Sequence, residues 1–530
     1  MIISNEQRVK RIFLVFFIIL VAVLFPCHAF GEDDMLSEKD KDDLTLDINK
    51  MNELRRTYNN DIHGYSLTLP LAMEINQDYS EIATIFKDDK RQIEIYKQSL
   101  IGITPAGYIN YSNTFKKDDV HKVTMDEYIV IDGMKIHVIM WSRPKLSRGD
   151  FDLNNYICFD IIREGYIYSI FVKSIDPIIS AEEYMYLVRD FTVFEPTKQG
   201  NIRSTMPVDV EKRNWNDETS AFYEKYFLDS EELVWGIFEP QTATFSYNKL
   251  LDYEKYFRYN FPVILNYSEF SKEPHKNLDK RLDLAWAHGK VLELTLQTTA
   301  IDNGNMMYDI LAGEYDVFLN DYAKIIADFK HPVLFRLLNE MNGDWCVYSA
   351  FHTGKDTLIY KNVYKYIYSI FEKQGANENT IWIWNPNEGS FPNFQWNHAL
   401  MYYPGDEYAD LIGMTAYNTG NYYYEVGERW KEFDELYDPL YEDYCRWFAQ
   451  PLIITEFACA NKGGDKARWI DDMFNKIKEY DRIKMAIWWD GCDWDSQGNI
   501  ARSYFLDETL EIKRAFKNGL LGPWWLGLYA

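Results

Sequence analysis

Eight short apolar runs recur between Leu233 and Trp489, most of them separated by segments of helical periodicity. They are Leu233–Phe238, Pro262–Tyr267, Val291–Gln297, Pro332–Leu338, Thr380–Asn385, Asp410–Ala416, Pro451–Glu456 and Met485–Trp489. Each has the length of a strand. Between them, Phe318, Tyr322, Ile325, Ile326 and Phe329 fall on one helical stripe, as do Ile359, Val363, Tyr366, Ile367 and Ile370. Asp356 and Asp465 are placed to cap helix N-termini, and Gly375 to end a helix. Strands that alternate with helices are joined by crossovers and run parallel. Eight such units in roughly 300 residues predict a closed (β/α)8 barrel over residues 215–522, with an open doubly wound sheet as the alternative.

The chain before the barrel reads differently. Strands are expected at Tyr65–Leu69, Gln92–Tyr96, Lys135–Trp141, Tyr156–Ile162 and Tyr166–Lys173, all rich in β-branched and aromatic residues. Glu164-Gly165 turns the last pair into a hairpin. A helix around Ala181–Arg189 and a strand at Phe191–Phe194 follow. Residues 55–197 therefore predict a smaller α+β domain. Its "GYSLTLP" and "YIYSIFVKS" segments with a late helix resemble PsbP/Mog1-like modules. It carries no catalytic constellation, and binding to glycan or to the cell envelope is the role considered for it. Residues 198–214, with Pro, Gly, Ser and mixed charges, read as a linker.

At the N-terminus, Arg8, Lys10 and Arg11 precede an apolar run from Ile12 to Phe25, followed by Cys27-His28-Ala29. This pattern predicts a signal peptide over residues 1–29, with cleavage after Ala29. A secreted or cell-surface protein without stable membrane insertion is expected, and an uncleaved anchor is the alternative. Residues 30–54 are acidic and read as a solvated linker.

A net charge of −26 would be repelled by a phosphate backbone or an anionic bilayer, so nucleic acid and such membranes are excluded as partners. Neutral sugars are not. The chain holds 40 Tyr, 32 Phe and 16 Trp. Most fill cores, but a minority beside catalytic motifs can stack on the apolar face of a pyranose. Five of the six Cys would remain after cleavage, an odd and widely spaced set that is no disulfide framework. The nine His form no metal-ligand pattern, and there is neither a phosphate loop nor a nucleophile elbow. Asp490, Asp493 and Asp495 read as a solvated acidic turn. No cofactor or metal is expected.

In a barrel of this kind the chemistry lies at the C-terminal ends of the strands. The fourth run, in "HPVLFRLLNEMNGDW", delivers Glu340, and the seventh, in "QPLIITEFA", delivers Glu456. Strands four and seven face each other across the barrel mouth. Two carboxylates about 5–5.5 Å apart suit retaining glycoside hydrolysis, one as acid then base and the other as nucleophile. Arg336, four residues before Glu340, is expected on the same inward face by period-two alternation. A guanidinium there would favour the charged form of Glu456. Tyr417, at the end of strand six, is a candidate hydrogen-bond donor to Glu456. Trp345, Trp384, Trp488 and Trp489 are stacking candidates, although alternation sends only one of the last two inward. Asn385 and Glu388, in "WNPNE", are placed to line the cleft.

Residues 215–520 resemble glycoside hydrolase family 26, in the clan of retaining (β/α)8 TIM barrels with catalytic Glu residues on strands four and seven. "RLLNEMNGDW" resembles its acid/base motif, "PLIITEFA" its nucleophile motif and "DLIGMTAYN" its sixth strand. The resemblance implies Glu340 as acid/base, Glu456 as nucleophile and a plant-type β-polysaccharide as substrate. Endo-β-1,4-mannanase activity on mannan or glucomannan is the leading expectation. Mixed-linkage β-glucanase or β-xylanase activity is the alternative within the family. A catalytically impaired glycan-binding protein is the alternative of another class, as is a surface-structural module. Asn339 and Thr415 depart from the family, which usually carries His before the acid/base and often Asp at the latter position. Asn339 can still donate to and accept from a sugar hydroxyl.

Overall fold

The computed structural model describes residues 54–149, 151–298, 305–522 and 525–526. The predicted signal peptide and all but the last residue of the acidic linker lie outside the described residues. No described helix is long and apolar enough to cross a membrane.

The eight runs are eight parallel strands, numbered one to eight in chain order: Leu233–Phe238, Val263–Glu269, Val291–Gln297, Val333–Leu337, Thr380–Trp384, Leu411–Thr415, Leu452–Phe457 and Ile483–Trp489. Each pairs with its successor. Strand eight pairs with strand one from Val234↔Met485 to Phe238↔Trp489, which closes the barrel and removes the open-sheet alternative. The expected caps are in place. Asp356 accepts from Leu358 N, Asp465 accepts from Arg468 N, and Gly375 ends its helix in the left-handed conformation at φ 79°.

Alternation sorts each strand between two cores. Val234, Val263, Leu265, Leu334, Ile381, Ile383, Leu411, Ile453, Met485 and Ile487 fill the barrel interior. Trp235, Ile264, Leu292, Leu294, Phe335, Trp382, Trp384, Ile412, Ile454, Phe457 and Trp488 face outward into the helical layer. Toward the C-terminal ends the inward positions turn polar, with Glu293, Thr295, Arg336, Asn385, Thr415 and Thr455 all buried. That switch from apolar to polar filling marks the end of the barrel at which a site can be built.

The smaller α+β domain holds a seven-stranded antiparallel sheet with strands Glu74–Asn76, Ala83–Lys87, Arg91–Ser99, Tyr166–Ser174, Asn155–Arg163, Met134–Ser142 and Lys122–Ile131 side by side. The expected helix at 181–189 is a 3-10 turn, Ala181–Tyr184, followed by a short α-helix, Tyr186–Arg189. A helix that the pattern did not announce, Pro105–Ser112, starts with Pro at its first turn, where a missing N–H costs nothing. Thr104 caps it through Gly107 N.

This domain packs on the barrel's upper loops. Lys173 is fully buried and ion-pairs with both Glu94 (2.6 Å) and Asp356 (2.8 Å). Asp356 also accepts from Tyr156 and caps the helix after strand four. Lys355 reaches Asn113 Oδ1 at 2.9 Å, and Tyr308 meets His121 at 2.9 Å. The apolar core is continuous across the contact, with Tyr96, Tyr108, Ile109 and Ile167 joining the barrel's outer core.

Candidate active site

Arg336 on strand four points into the barrel, is fully buried, and has a partner for each nitrogen. Nε meets Glu293 at 3.0 Å and Thr295 Oγ1 at 2.7 Å, Nη1 donates to Asn385 Oδ1 at 2.9 Å, and Nη2 donates to Glu456 Oε2 at 3.0 Å. Glu340 is not delivered by simple alternation from Arg336. The strand ends at Leu337, and both Leu338 (φ 49°) and Glu340 (φ 56°) take left-handed backbone. Such conformations cost of order 1–3 kcal/mol each at non-glycine residues and gather where a side chain must be aimed. The segment is tied down by Leu338 N to Leu296 O (2.9 Å) and Glu340 N to Asn385 O (2.8 Å). Strands three and five therefore hold the turn from both sides.

Strand seven solves the complementary problem with a bulge. Ile453 faces in and Ile454 out, so strict alternation would send Thr455 in and Glu456 out. The register with strand six jumps from Met414↔Ile454 to Thr415↔Glu456, and that with strand eight from Ile454↔Ala486 to Phe457↔Trp488. The extra residue lets Thr455 and Glu456 both face inward while Phe457 returns to the outer core. Thr455 donates to Asn385 Oδ1 at 2.7 Å. Glu456 accepts from Arg336 and from the Tyr267 hydroxyl at the end of strand two, both on Oε2. Trp489 Nε1 donates to that same Tyr267 oxygen at 3.1 Å.

The two carboxyls feel each other. Burial, then the charges of Glu456 and Glu388, push Glu340 up to about 8, while Arg336 and a hydrogen bond from Trp345 pull the other way. Glu388, exposed on the loop after strand five, supplies the second of those charges. Glu293 rises to about 7 because burial and Glu456 outweigh its Arg336 partner. The geometry thus sets a carboxyl that keeps its proton near neutrality beside a second one held by a guanidinium and a phenol. Such a pair can protonate a leaving oxygen on one side and attack on the other.

The other sequence candidates divide. Trp345 is 53% exposed at the rim, its ring 5.4 Å from Phe391. Asn339 is buried, its side-chain oxygen without a hydrogen-bond partner. Trp489 faces in and stacks on Phe238 at 5.1 Å. Tyr417 lies against Trp489 and Tyr504, in the field of both carboxyls. The tyrosine that bonds Glu456 is Tyr267, which sequence reasoning had not singled out. Two candidates leave the site. Trp384 packs on Tyr403 and Phe448, and Trp488 on Phe457 and Phe516, because their strand positions face the helical layer. Glu293 is a further participant that was passed over, although its place between Leu292 and Leu294 signals an inward acid. The acidic turn is held by protein groups. Asp490 is buried against Lys249 (2.9 Å), and Asp493 pairs with Arg502 (2.7 Å). Among the described residues no group of three or more His, Cys, Asp or Glu is arranged to hold a metal ion.

Residues 286–441 match the family described as glycosyl hydrolase family 26. That segment spans strands three to six with Glu293, Arg336 and Glu340, and ends before Glu456. Endoglucanase H of Acetivibrio thermocellus is 29% identical over 209 residues, which are 39% of this chain and 22% of that protein. A mannan endo-1,4-beta-mannosidase of Bacillus subtilis is 34% identical over 90 residues, 16% of this chain and 23% of that protein. The chain spans about a quarter of the length of these curated relatives. Among solved structures, a modular endo-beta-1,4-mannanase from Cellulomonas fimi superposes with a TM-score of 0.46 at 16% identity, covering 61% of this chain and 78% of that one. By sequence, strands three to six of this barrel are thus similar to glycosyl hydrolase family 26.

Proposed function

We propose that this protein is a retaining glycoside hydrolase that cleaves a β-linked polysaccharide, with mannan or glucomannan as substrate. The observation that carries the reading is geometric: a left-handed turn tied to strands three and five carries Glu340 at the barrel mouth, and a bulge in strand seven carries Glu456, which accepts from Arg336 and Tyr267. In the first step Glu456 attacks the anomeric carbon while Glu340 gives its proton to the departing glycosidic oxygen. Both donors sit on Oε2 of Glu456, so Oε1 is the attacking atom. In the second step Glu340, now ionised, takes a proton from water, and the water oxygen displaces Glu456. Two displacements at one carbon return the original configuration. Asn339, with its unpaired side-chain oxygen, is placed to receive a sugar hydroxyl. Trp345 and Trp489 flank the carboxyls as stacking surfaces. Export follows from the basic and apolar pattern of residues 1–29, and the protein then meets its polysaccharide outside the cell.

Reducing-sugar release from galactomannan, barley β-glucan and β-1,3-xylan tests the reading, with NMR of the first-formed anomer. Release from galactomannan with retention is expected. Inversion would remove the nucleophile role of Glu456, and failure on all three would leave a binding protein. Glu456→Ala should abolish turnover with the fold intact. Glu340→Ala should lose about 10²- to 10⁴-fold on polysaccharide, retain more on substrates with good leaving groups, and recover with azide. A second reading, mixed-linkage β-glucan as substrate, is favoured by Thr415. It stands where mannanases of the family often place Asp, and here it donates to Asn385 at 3.1 Å. One of the relatives, moreover, is named an endoglucanase. Activity on β-glucan without activity on mannan would select it.

A further inference from the structure

We infer that the helix Pro105–Ser112 of the smaller domain is part of the substrate-binding surface, and that Tyr111 is a stacking platform for a sugar unit remote from the cleaved bond. The inference rests on the polysaccharide reading above and extends the site onto a domain outside the barrel.

Tyr111 sits where the smaller domain meets the loops after strands four and five. Its hydroxyl donates to Asp344, and its ring leans on Phe351 at 5.2 Å and on Phe394 at 6.2 Å. With its polar end satisfied and two rings behind it, it is still 43% exposed. Asp344 directly precedes Trp345, about 3.8 Å away along the backbone. Trp345 follows Glu340 by five residues on the same loop and is itself exposed beside Phe391, which is 48% exposed. Three large aromatic surfaces, Tyr111, Trp345 and Phe391, therefore open to solvent around the loops after strands four and five, the first of which carries Glu340. Clustered exposed apolar surface of this kind marks a binding face rather than scattered surface variation.

The platform is rigid. Gln98 Oε1 accepts from Gln395 N at 2.9 Å, Trp396 Nε1 donates to Ser112 Oγ at 3.2 Å, and Tyr108 packs on Phe394 at 4.7 Å. These contacts fix the helix to the loop that carries Phe391. A surface fixed in advance pays little ordering entropy when a ligand settles on it. The ligand chemistry follows from the groups present. Flat rings with one carboxylate between them suit a neutral pyranose in an equatorially β-1,4-linked chain, whose C–H faces are apolar and whose hydroxyls can donate to Asp344. A contact made from outside the barrel would sense chain length, favouring long polysaccharide over short fragments.

The test is titration calorimetry on full-length Glu456→Gln protein, which binds without turnover, using β-1,4-linked manno- and gluco-oligosaccharides from disaccharide to hexasaccharide. Adding Tyr111→Ala should weaken the hexasaccharide by roughly 3- to 10-fold and the shorter ligands progressively less. Tyr111→Phe, which keeps the ring and drops the Asp344 bond, should retain most of the affinity. Tyr111→Leu, which keeps packing on Phe351 but has no flat face, should behave as the alanine variant does and serves if that protein melts early. Unchanged hexasaccharide binding, an equal loss at every length, or a loss in Tyr111→Phe as large as in Tyr111→Ala would each overturn the inference. If Glu456→Gln protein with Tyr111 intact bound no oligosaccharide of either sugar, the polysaccharide reading itself would fall first.

Discussion

Glu340 enters the proposed reaction with its proton on, and burial beside Glu456 and Glu388 lifts its titration to about 8. The acid must be protonated to act, so kcat/KM should hold up to near that pH and fall as pH rises through it. Glu388→Gln removes one of the charges that favours the proton on Glu340, so the falling limb should move to lower pH. A limb that stayed in place would assign it to another group. Tyr267→Phe tests the other carboxyl. A hydrogen bond to a charged group contributes about 1.5–3 kcal/mol, so its loss should lower kcat/KM by roughly 10- to 100-fold, with circular dichroism and melting temperature little changed. Both glutamates stood out in the sequence as candidates because each lies at or just beyond an apolar run, within a motif that resembles the family's. Tyr267 was not, because "VILNYSE" has nothing that sets its tyrosine apart from the many in the chain. The paired tryptophans failed for a different reason. Period-two alternation states that neighbours face opposite ways, but not which of them faces in. Only a fixed inward residue, such as Asn385 after Trp384, settles the parity.

Strands carried most of the readable signal, because a buried parallel strand is a short continuous apolar run and a helix between two such strands shows its stripe. Their observed ends fall close to the expected ones. The deviations that aim Glu340 and Glu456 did not show: the left-handed turn at 338–340 and the bulge in strand seven. Each is a backbone choice made by neighbouring strands, not by local composition. In the smaller domain, Lys122–Ile131 escaped notice because it is an edge strand with mostly solvent-facing residues. Strand six shows how tightly the elements are fitted around the site. A Cβ on Gly413 would lie 2.6 Å from Asn385 Cβ and 2.8 Å from Thr455 Cγ2. Gly413→Ala should cost about 1–3 kcal/mol by overpacking, read from denaturant midpoints. It should also displace Asn385, whose Oδ1 accepts from Arg336, Thr455 and Thr415. Activity should therefore fall mainly in kcat. A variant with altered stability but wild-type kcat would show that Arg336 keeps its aim without Asn385.

At the scale of the whole molecule, the question is whether the smaller domain and the barrel melt together. Residues from both belong to one apolar core, and the contact also buries charge. Lys173, from the smaller domain's sheet, is fully buried between Glu94 of its own domain and Asp356 of the barrel. Asp356 starts the helix that follows the Glu340 loop, so this ion pair links domain docking to the position of the turn that carries Glu340. Removing one partner of a buried pair leaves an uncompensated charge and typically costs about 3–5 kcal/mol. Lys173→Ala should therefore lower the stability of the entire unit, and calorimetry should show one cooperative transition in both proteins, shifted down in the variant. Its activity on polysaccharide should fall even well below the new melting temperature, because Glu94 and Asp356 would then repel across the contact and loosen the loop after strand four. Lys173→Met fills similar volume without charge, so a larger loss in Lys173→Ala than in Lys173→Met would separate packing from electrostatics. Two separate transitions in the unmodified protein, or a loss confined to an early one in the variant, would mean that the smaller domain can leave the barrel. In that case the loops around Glu340 would have to be held by the barrel alone.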